Sequence, residues 1–233
     1  SIGLVGSEMC IRDSPIYFDG QAFMVKKASG VKSAKDLSGA SVCTQQGTTT
    51  ELNMADYFRA NRMKLRPVVF ESNDEGVQAF VKGRCDVLTN DASGLAAERS
   101  KFKKPEDYII LPEIISKEPL APAVRHGDDE WYDIVKWTIF ALINAEELGI
   151  NSKNIDTFKR SKDPRVKRFL GKSPGVGKSI GLDEKWVFNV ISKVGNYGEI
   201  FERNVGSQTP LKLERGLNDL WTKGGLLYSP PFK

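Results

Sequence analysis

The sequence predicts an α/β protein with one complete parallel-sheet lobe followed by a mostly helical second part. Three observations predict it. Between residues 22 and 116, short apolar or β-branched runs alternate with helix-like segments across brief links, which is the signature of right-handed crossovers and a parallel sheet. After Gly127 the apolar residues recur at helical spacing and strand-like runs become rare. Finally, a glycine-containing turn at residues 46–51 and the acid Asp91 each close a strand-like run. Open α/β sheets bind ligands at such carboxyl ends.

The elements follow in order. Residues 22–26 read as a strand, 33–37 as a short helix and 41–45 as a second strand. Residues 52–60 place Leu52, Ala55 and Phe58 on one helical face. Residues 66–71 form a β-branched strand, and Asn73 is expected to cap a helix with Val77, Phe80 and Val81 on one face, closed by Gly83. Then come a strand at 85–90, a helix at 92–100 and a strand at 108–111. Pro119 and Pro122 make 117–127 extended. Residues 129–146 carry Trp131, Ile134, Val135, Thr138, Ile139 and Leu142 as a core stripe, and 151–170, 183–194 and 211–221 are expected to be further helices. A turn at Gly195 precedes residues 196–201.

Composition bounds the class. With 233 residues, 40% hydrophobic and 27% charged, the chain can bury one large core or two modest ones. The net charge of +4 is dispersed, and the densest basic stretches, 101–104 and 159–168, lack interleaved aromatic residues. They read as solvated helix faces, so no nucleic-acid partner is expected. No apolar run reaches membrane-spanning length.

Residues 4–14 have neither a helical nor a strand period, and they lack the charged and apolar regions of a signal peptide. They read like the conceptual translation of a transposon adapter used in preparing sequencing libraries. Natural sequence is therefore expected to begin near Pro15, with the gene truncated at its 5′ end and any export signal upstream. Setting that leader aside leaves Cys43 and Cys85, each early in its strand. If the strands are neighbours, the sulfurs stand at similar height and a disulfide is possible. It would indicate an oxidising compartment and contribute about 3–4 kcal/mol in the chain-entropy model. Two buried free thiols are the alternative. With one histidine, His126, and no CxxC spacing, no metal site and no cofactor are expected.

The chemistry concentrates at two places. Gly47 permits a tight turn, and the helix start behind it offers unpaired N–H donors and partial positive charge, which together suit an anion. Thr48 with Glu51 fits a capping box. Asp91 supplies a fixed carboxylate. A guest with both charges fits the pair, and an α-amino acid is the commonest such molecule. Each half has a plainer reading: a capping box marks many helix starts, and Asp91 could be only the N-cap of the next helix.

Residues 47–51, Gly83-Arg84-Cys85-Asp86-Val87 through Asp91, and Pro122-Ala123-Val124-Arg125-His126-Gly127-Asp128 resemble the periplasmic polar amino-acid-binding proteins of ABC transporters. Within them, Val194-Gly195-Asn196-Tyr197-Gly198-Glu199-Ile200-Phe201 and Leu213-Glu214-Arg215-Gly216-Leu217 are similar to the general L-amino-acid binders of proteobacteria. The resemblance covers roughly residues 15–233. It implies a type II periplasmic-binding-protein-like fold, with the helical part completing an otherwise incomplete second lobe. Residues 1–14 are then the adapter-like leader and 15–21 the end of lobe 1 with the first hinge. Lobe 2 takes 22–116, the second crossing 117–126, and the C-terminal part of lobe 1 takes 127–233.

The resemblance also implies roles. Hydroxyl and N–H groups of Thr48 and Thr49 hold the ligand α-carboxylate, Asp91 holds the α-ammonium, and Gln45 and Thr50 lie near the ligand side chain. The implied protein is a periplasmic monomer that captures L-amino acids by hinge closure and delivers them to an ABC-transporter membrane permease. The family's carboxylate-clamping arginine and first-lobe aromatics belong to sequence before Pro15, so the chain is expected to carry half a cleft. The rivals are a dehydratase-like periplasmic enzyme of the same architecture, using a carboxylate as acid or base, and a ligand-sensing module. No nucleophile–base pair accompanies Asp91, and His126 is expected to be a hydrogen-bonded structural residue.

Overall fold

The computed structural model describes residues 10–12, 15–173 and 176–232. The expectation of an adapter-like leader therefore falls mostly outside the described residues. Within that leader, Cys10–Arg12 forms a short strand, β1, contrary to the lack of strand period. Three residues can pair through backbone groups alone, without alternation of side chains. The chain divides into two compact units, with boundaries between Tyr17 and Phe18 and between Pro119 and Leu120. Both boundaries fall inside paired strands, β2 (Tyr17–Asp19) and β8 (Glu118–Leu120).

The first unit, Phe18–Pro119, is built on β3 (Gln21–Lys26), β4 (Ser41–Gln45), β5 (Arg66–Phe70), β6 (Val87–Asp91) and β7 (Tyr108–Ile110). Its helices are α1 (Thr49–Ala60), α2 (Asn73–Val81) and α3 (Ala92–Lys101). The sheet order is β5-β4-β6-β3-β7. It is mainly parallel, as expected, with one reversed strand: β4 runs with β5 and β6, and β3 is antiparallel to both β6 and β7. The reason is the point of entry. Gln21, the first residue of β3, lies opposite Asp91, the last of β6. The chain thus joins the sheet at the rim where β6 ends and must run away from it.

Both faces of this sheet are covered, which accounts for the nearly continuous burial of β3. Successive side chains alternate faces. Ala22 and Met24 join Cys43, Phe80, Leu88 and Leu95 on one side. Phe23 and Val25 join Val42, Met54, Phe58 and Val87 on the other. Cys43 and Cys85 are joined by a disulfide with a Cα–Cα distance of 5.7 Å. Helix α2 is capped by Ser72, not Asn73: the Ser72 hydroxyl accepts from the Glu75 N–H at 3.3 Å.

In the second unit β9 (Ala123–Arg125) pairs with β1, and helices α4 (Asp129–Glu147), α5 (Ile155–Phe158), α6 (Pro164–Phe169), α7 (Val176–Ser179), α8 (Trp186–Val194) and α9 (Tyr197–Asn204) follow. The single helix expected over 151–170 is two short ones. Pro164 has no N–H for a preceding turn and instead opens α6, with Asp163 as its cap. No α-helix forms over 211–221, only a short 3-10 helix at Gly216–Asn218. Lys212 adopts φ +49, and the Leu213 N–H bonds back to the Val205 carbonyl at 2.9 Å. Helix α9 is marked by a complete capping box, Asn196 with Glu199.

Of the expected α4 stripe, Ile139 is buried and Ile134 and Leu142 pack against the core cluster. Ile139, Ala141, Ile143 and Ala145 are the core residues of α4, while Trp131 in the first turn stays 52% exposed. The helix packs on α8 and α9. Around Tyr197 a polar knot forms: Arg215 makes a bidentate pair with Glu146 at 3.0 and 3.1 Å and lies over the rings of Tyr197 and Phe201. His126 is exposed in the turn after β9, and Gly127 beside it supplies the positive φ of that turn. Among the described residues no helix is long and apolar enough to cross a membrane.

Candidate functional site

The carboxyl ends of β4 and β6 carry the groups singled out in the sequence. The two strands are adjacent and parallel, with Val42 beside Val87 and Cys43 beside Leu88. Their last residues, Gln45 and Asp91, therefore end at one rim.

At the end of β4, Gly47 turns the chain with φ +70, a conformation that costs glycine least. Thr48 is the N-cap of α1, and its hydroxyl accepts from the Glu51 N–H at 3.3 Å. The hydroxyl proton goes to the Gln45 carbonyl at 2.8 Å, so it is engaged within the turn rather than offered outward. The return half of the capping box lands one residue upstream of the expected place. Glu51 accepts from the Gly47 N–H at 2.8 Å and leaves the Thr48 N–H unclaimed by its carboxylate. What this rim offers an anion is therefore backbone N–H groups and the positive end of α1. The Glu51 charge offsets part of that attraction.

Asp91 occupies the N-cap position of α3 but makes no side-chain cap bond. The first turn of α3 is satisfied from the strand-entry segment. The Ala92 N–H donates to the Gly20 carbonyl at 2.9 Å, and the Ser93 N–H and hydroxyl both donate to the Asp19 carboxylate. Asp91 is left half-buried, and among the described residues none makes a hydrogen bond to its carboxylate. Burial, then the negative charges of Asp19 and Glu118, push its carboxyl up to about 6.

Gln21 ties the two halves together. Its side chain is fully buried and its amide donates to the Thr50 carbonyl at 3.0 Å and to the Thr89 hydroxyl at 2.8 Å. A second tie runs through Ser116, whose hydroxyl accepts from the Gln21 N–H at 3.1 Å and donates to Glu118 at 3.0 Å. Glu118 in turn accepts from Asn53 of α1 at 3.3 Å. Thr48, Thr49, Thr50 and Asp91 thus share one rim. Gln45 ends at the same rim, but its side-chain amide donates to the Glu71 carbonyl at 3.1 Å, beyond β5 and away from β6. The rim presents a partly positive pole and a carboxylate pole, suited to a small guest carrying a carboxylate and an ammonium. Among the described residues, no cluster of His, Cys, Asp and Glu is placed to hold a metal ion.

The geometry has a close counterpart among solved structures. An ABC transporter / periplasmic binding protein from Brucella ovis with glutathione bound superposes with a TM-score of 0.93 at 51% identity, covering 99% of this chain and 73% of that one. The chain belongs to the periplasmic binding proteins of ABC transporters. Curated relatives of this periplasmic binding protein agree. The general L-amino acid-binding periplasmic protein AapJ of Rhizobium johnstonii is 58% identical over 219 residues, 93% of this chain. The glutamate/glutamine/aspartate/asparagine-binding protein BztA of Rhodobacter capsulatus is 52% identical over 218 residues. The chain spans 64% of the length of each of these two. No family model matches it.

In this periplasmic binding protein, sequence reasoning overlooked Asp19, Gln21 and Glu118. Their signal was faint: an acid and a glycine immediately before a strand. Gly20 is needed there because a Cβ would lie 2.6 Å from the Ser116 carbonyl oxygen. Only the folded register shows that Asp19 meets Ser93, 74 residues along the chain.

Proposed function

We propose that the complete protein is a periplasmic, monomeric solute-binding protein. It captures L-amino acids by closure of its lobes and delivers them to the membrane permease of an ABC transporter. The observation that carries this reading is the uncapped, half-buried Asp91 carboxylate on the same rim as the amino end of α1. An α-ammonium at Asp91 and an α-carboxylate at the N–H groups of residues 48–50 would complete two charge-assisted contacts. The names of AapJ and BztA support amino acids as the ligand class. Those names also support binding rather than turnover. The Brucella ovis protein with glutathione bound suggests widening the ligand panel, since the γ-glutamyl end of glutathione carries the same two poles.

Calorimetric titration of the complete protein with L-amino acids, glutathione and des-amino analogues tests the proposal. L-amino acids should bind and their des-amino analogues should not. Asp91→Asn should weaken binding by about 10- to 100-fold, the worth of one hydrogen bond to a charged group. Because the empty-state Asp91 carboxyl lies at about 6, protons compete with the ammonium. Affinity should hold above that pH and decline as pH falls below it. Equal affinity for an amino acid and its des-amino analogue would end the reading.

A further inference from the structure

Helix α3 begins with an acid in the position that normally caps it, yet that acid caps nothing. Asp, Ser and Asn at an N-cap ordinarily accept from N–H groups of the first turn, and an unpaired N–H there is costly. In α3 the work is done by residues 19 and 20, far away in sequence. The Gly20 carbonyl takes the Ala92 N–H, and the Asp19 carboxylate takes both the N–H and the hydroxyl of Ser93. Asp19 is itself fixed by the Gly20 N–H at 2.8 Å. The Asp91 backbone N–H is held by the Asn90 side chain at 2.9 Å. The local demand that would draw the Asp91 carboxylate onto its own helix has been met by another residue.

We infer that Asp19 is a positioning residue for the ammonium pole: by capping α3 in place of Asp91, it keeps the Asp91 carboxylate turned out and available to a cationic guest. That the guest is an amino acid rests on the function proposed above, but the surrogate cap does not. Two carboxylates raise Asp91, Asp19 from β2 and Glu118 from β8, against the lowering effect of the chain's amino-terminal charge, while Gln21, Asn90 and Ser93 are neutral. Asp19 therefore acts on Asp91 in two separable ways. Its charge opposes ionisation of Asp91, and its oxygens occupy the donors that Asp91 would otherwise reach. Asp19→Asn removes the charge and keeps one oxygen for Ser93. Asp19→Ala removes both.

The test is carboxyl-carbon NMR titration of Asp91 in the wild type, D19N, D19A and, as a milder perturbation of the same cap, Ser93→Ala. The wild-type midpoint should lie near 6. D19N should bring it down through loss of the like charge. D19A should bring it down further, because Asp91 swings in and accepts from the Ser93 N–H. A merely structural cap would leave Asp91 unmoved in S93A and let D19N and D19A lower its midpoint equally, through the lost charge alone. Titration with the best-bound L-amino acid should show at least a tenfold loss in D19A, with D19N retaining most of the affinity that D19A loses. An Asp91 midpoint that is the same in all four proteins, or equal in D19N and D19A, would overturn the inference. If no amino acid binds even the wild type, the proposed function fails, while the NMR series still decides the role of Asp19.

Discussion

Gln21 Nε2 lies 3.0 Å from the Thr50 carbonyl oxygen, so the first residue of β3 holds the first turn of α1. The same nitrogen reaches the Thr89 hydroxyl at 2.8 Å, while the Gln21 Oε1 atom is buried without a partner. Gln21→Leu keeps approximate volume and removes both bonds along with the unpaired oxygen. Baring the Thr50 carbonyl should outweigh the gain, so stability should fall by about 2 kcal/mol. Amide exchange at residues 48–51 should quicken. A urea midpoint equal to wild type would show the tie to be idle.

Asp91 should weaken the protein it serves. Its folded-state carboxyl, at about 6, lies above the ordinary value of 3.8, so ionisation costs stability. That cost is full above pH 6 and disappears as pH falls toward 4. Two units correspond to about 3 kcal/mol at most, and solvent screening at this half-exposed site reduces the expectation to about 1 kcal/mol. Asp91→Asn should therefore raise Tm of the ligand-free protein by a few degrees at pH 7.5 while impairing capture. The two melting curves should converge near pH 4. A lower Tm for the variant at neutral pH would contradict this account.

Reduction should unfasten the sheet unit. The Cys43–Cys85 bridge closes a loop of 42 residues between two core positions. Its loss should cost about 4 kcal/mol in the chain-entropy model. Guanidinium unfolding with and without a phosphine reductant measures this directly. An unchanged midpoint after verified reduction would mean that the packed core alone suffices.

The Arg215–Glu146 pair should be more costly to break than to replace. Both side chains are largely buried, and Arg215 also donates to the Asn218 carbonyl at 2.8 Å. Arg215→Ala leaves Glu146 without its partner and should destabilise by about 3 kcal/mol or more. The double replacement Arg215→Met with Glu146→Leu should recover much of that loss. A double variant no more stable than Arg215→Ala would argue against direct coupling.

Much of the sheet unit is readable in the chain because local and tertiary demands agree there. The apolar runs of β3, β4 and β6 are short, buried on both faces and closed by turn residues. Thr48 and Asp91 are readable as neighbours because each ends a strand before a helix. The direction of β3 is not readable, since it depends on which rim the chain enters, and a period of two looks the same in either direction. Asp19 and Glu118 escape for the same reason: their closeness to Asp91 comes from the register. Local signals also lose to distant partners in the helical unit. Leu213-Glu214-Arg215 has acceptable helix formers, but Arg215 is drawn to Glu146 and Lys212 takes a left-handed conformation.

The reversed direction of β3 has one further consequence. The polypeptide enters the sheet at Gln21 and departs past Ile115, whose N–H bonds the Gln21 carbonyl, beside the same edge that bears Asp91. Thoroughfare and proposed ammonium site are one place. A change in residues 19–21 or 114–118 cannot be judged as a linker change alone, because it adjusts the charged pole within the same few ångströms. Affinity and backbone mobility would then be inherited together, and variants selected for one should carry an imprint of the other.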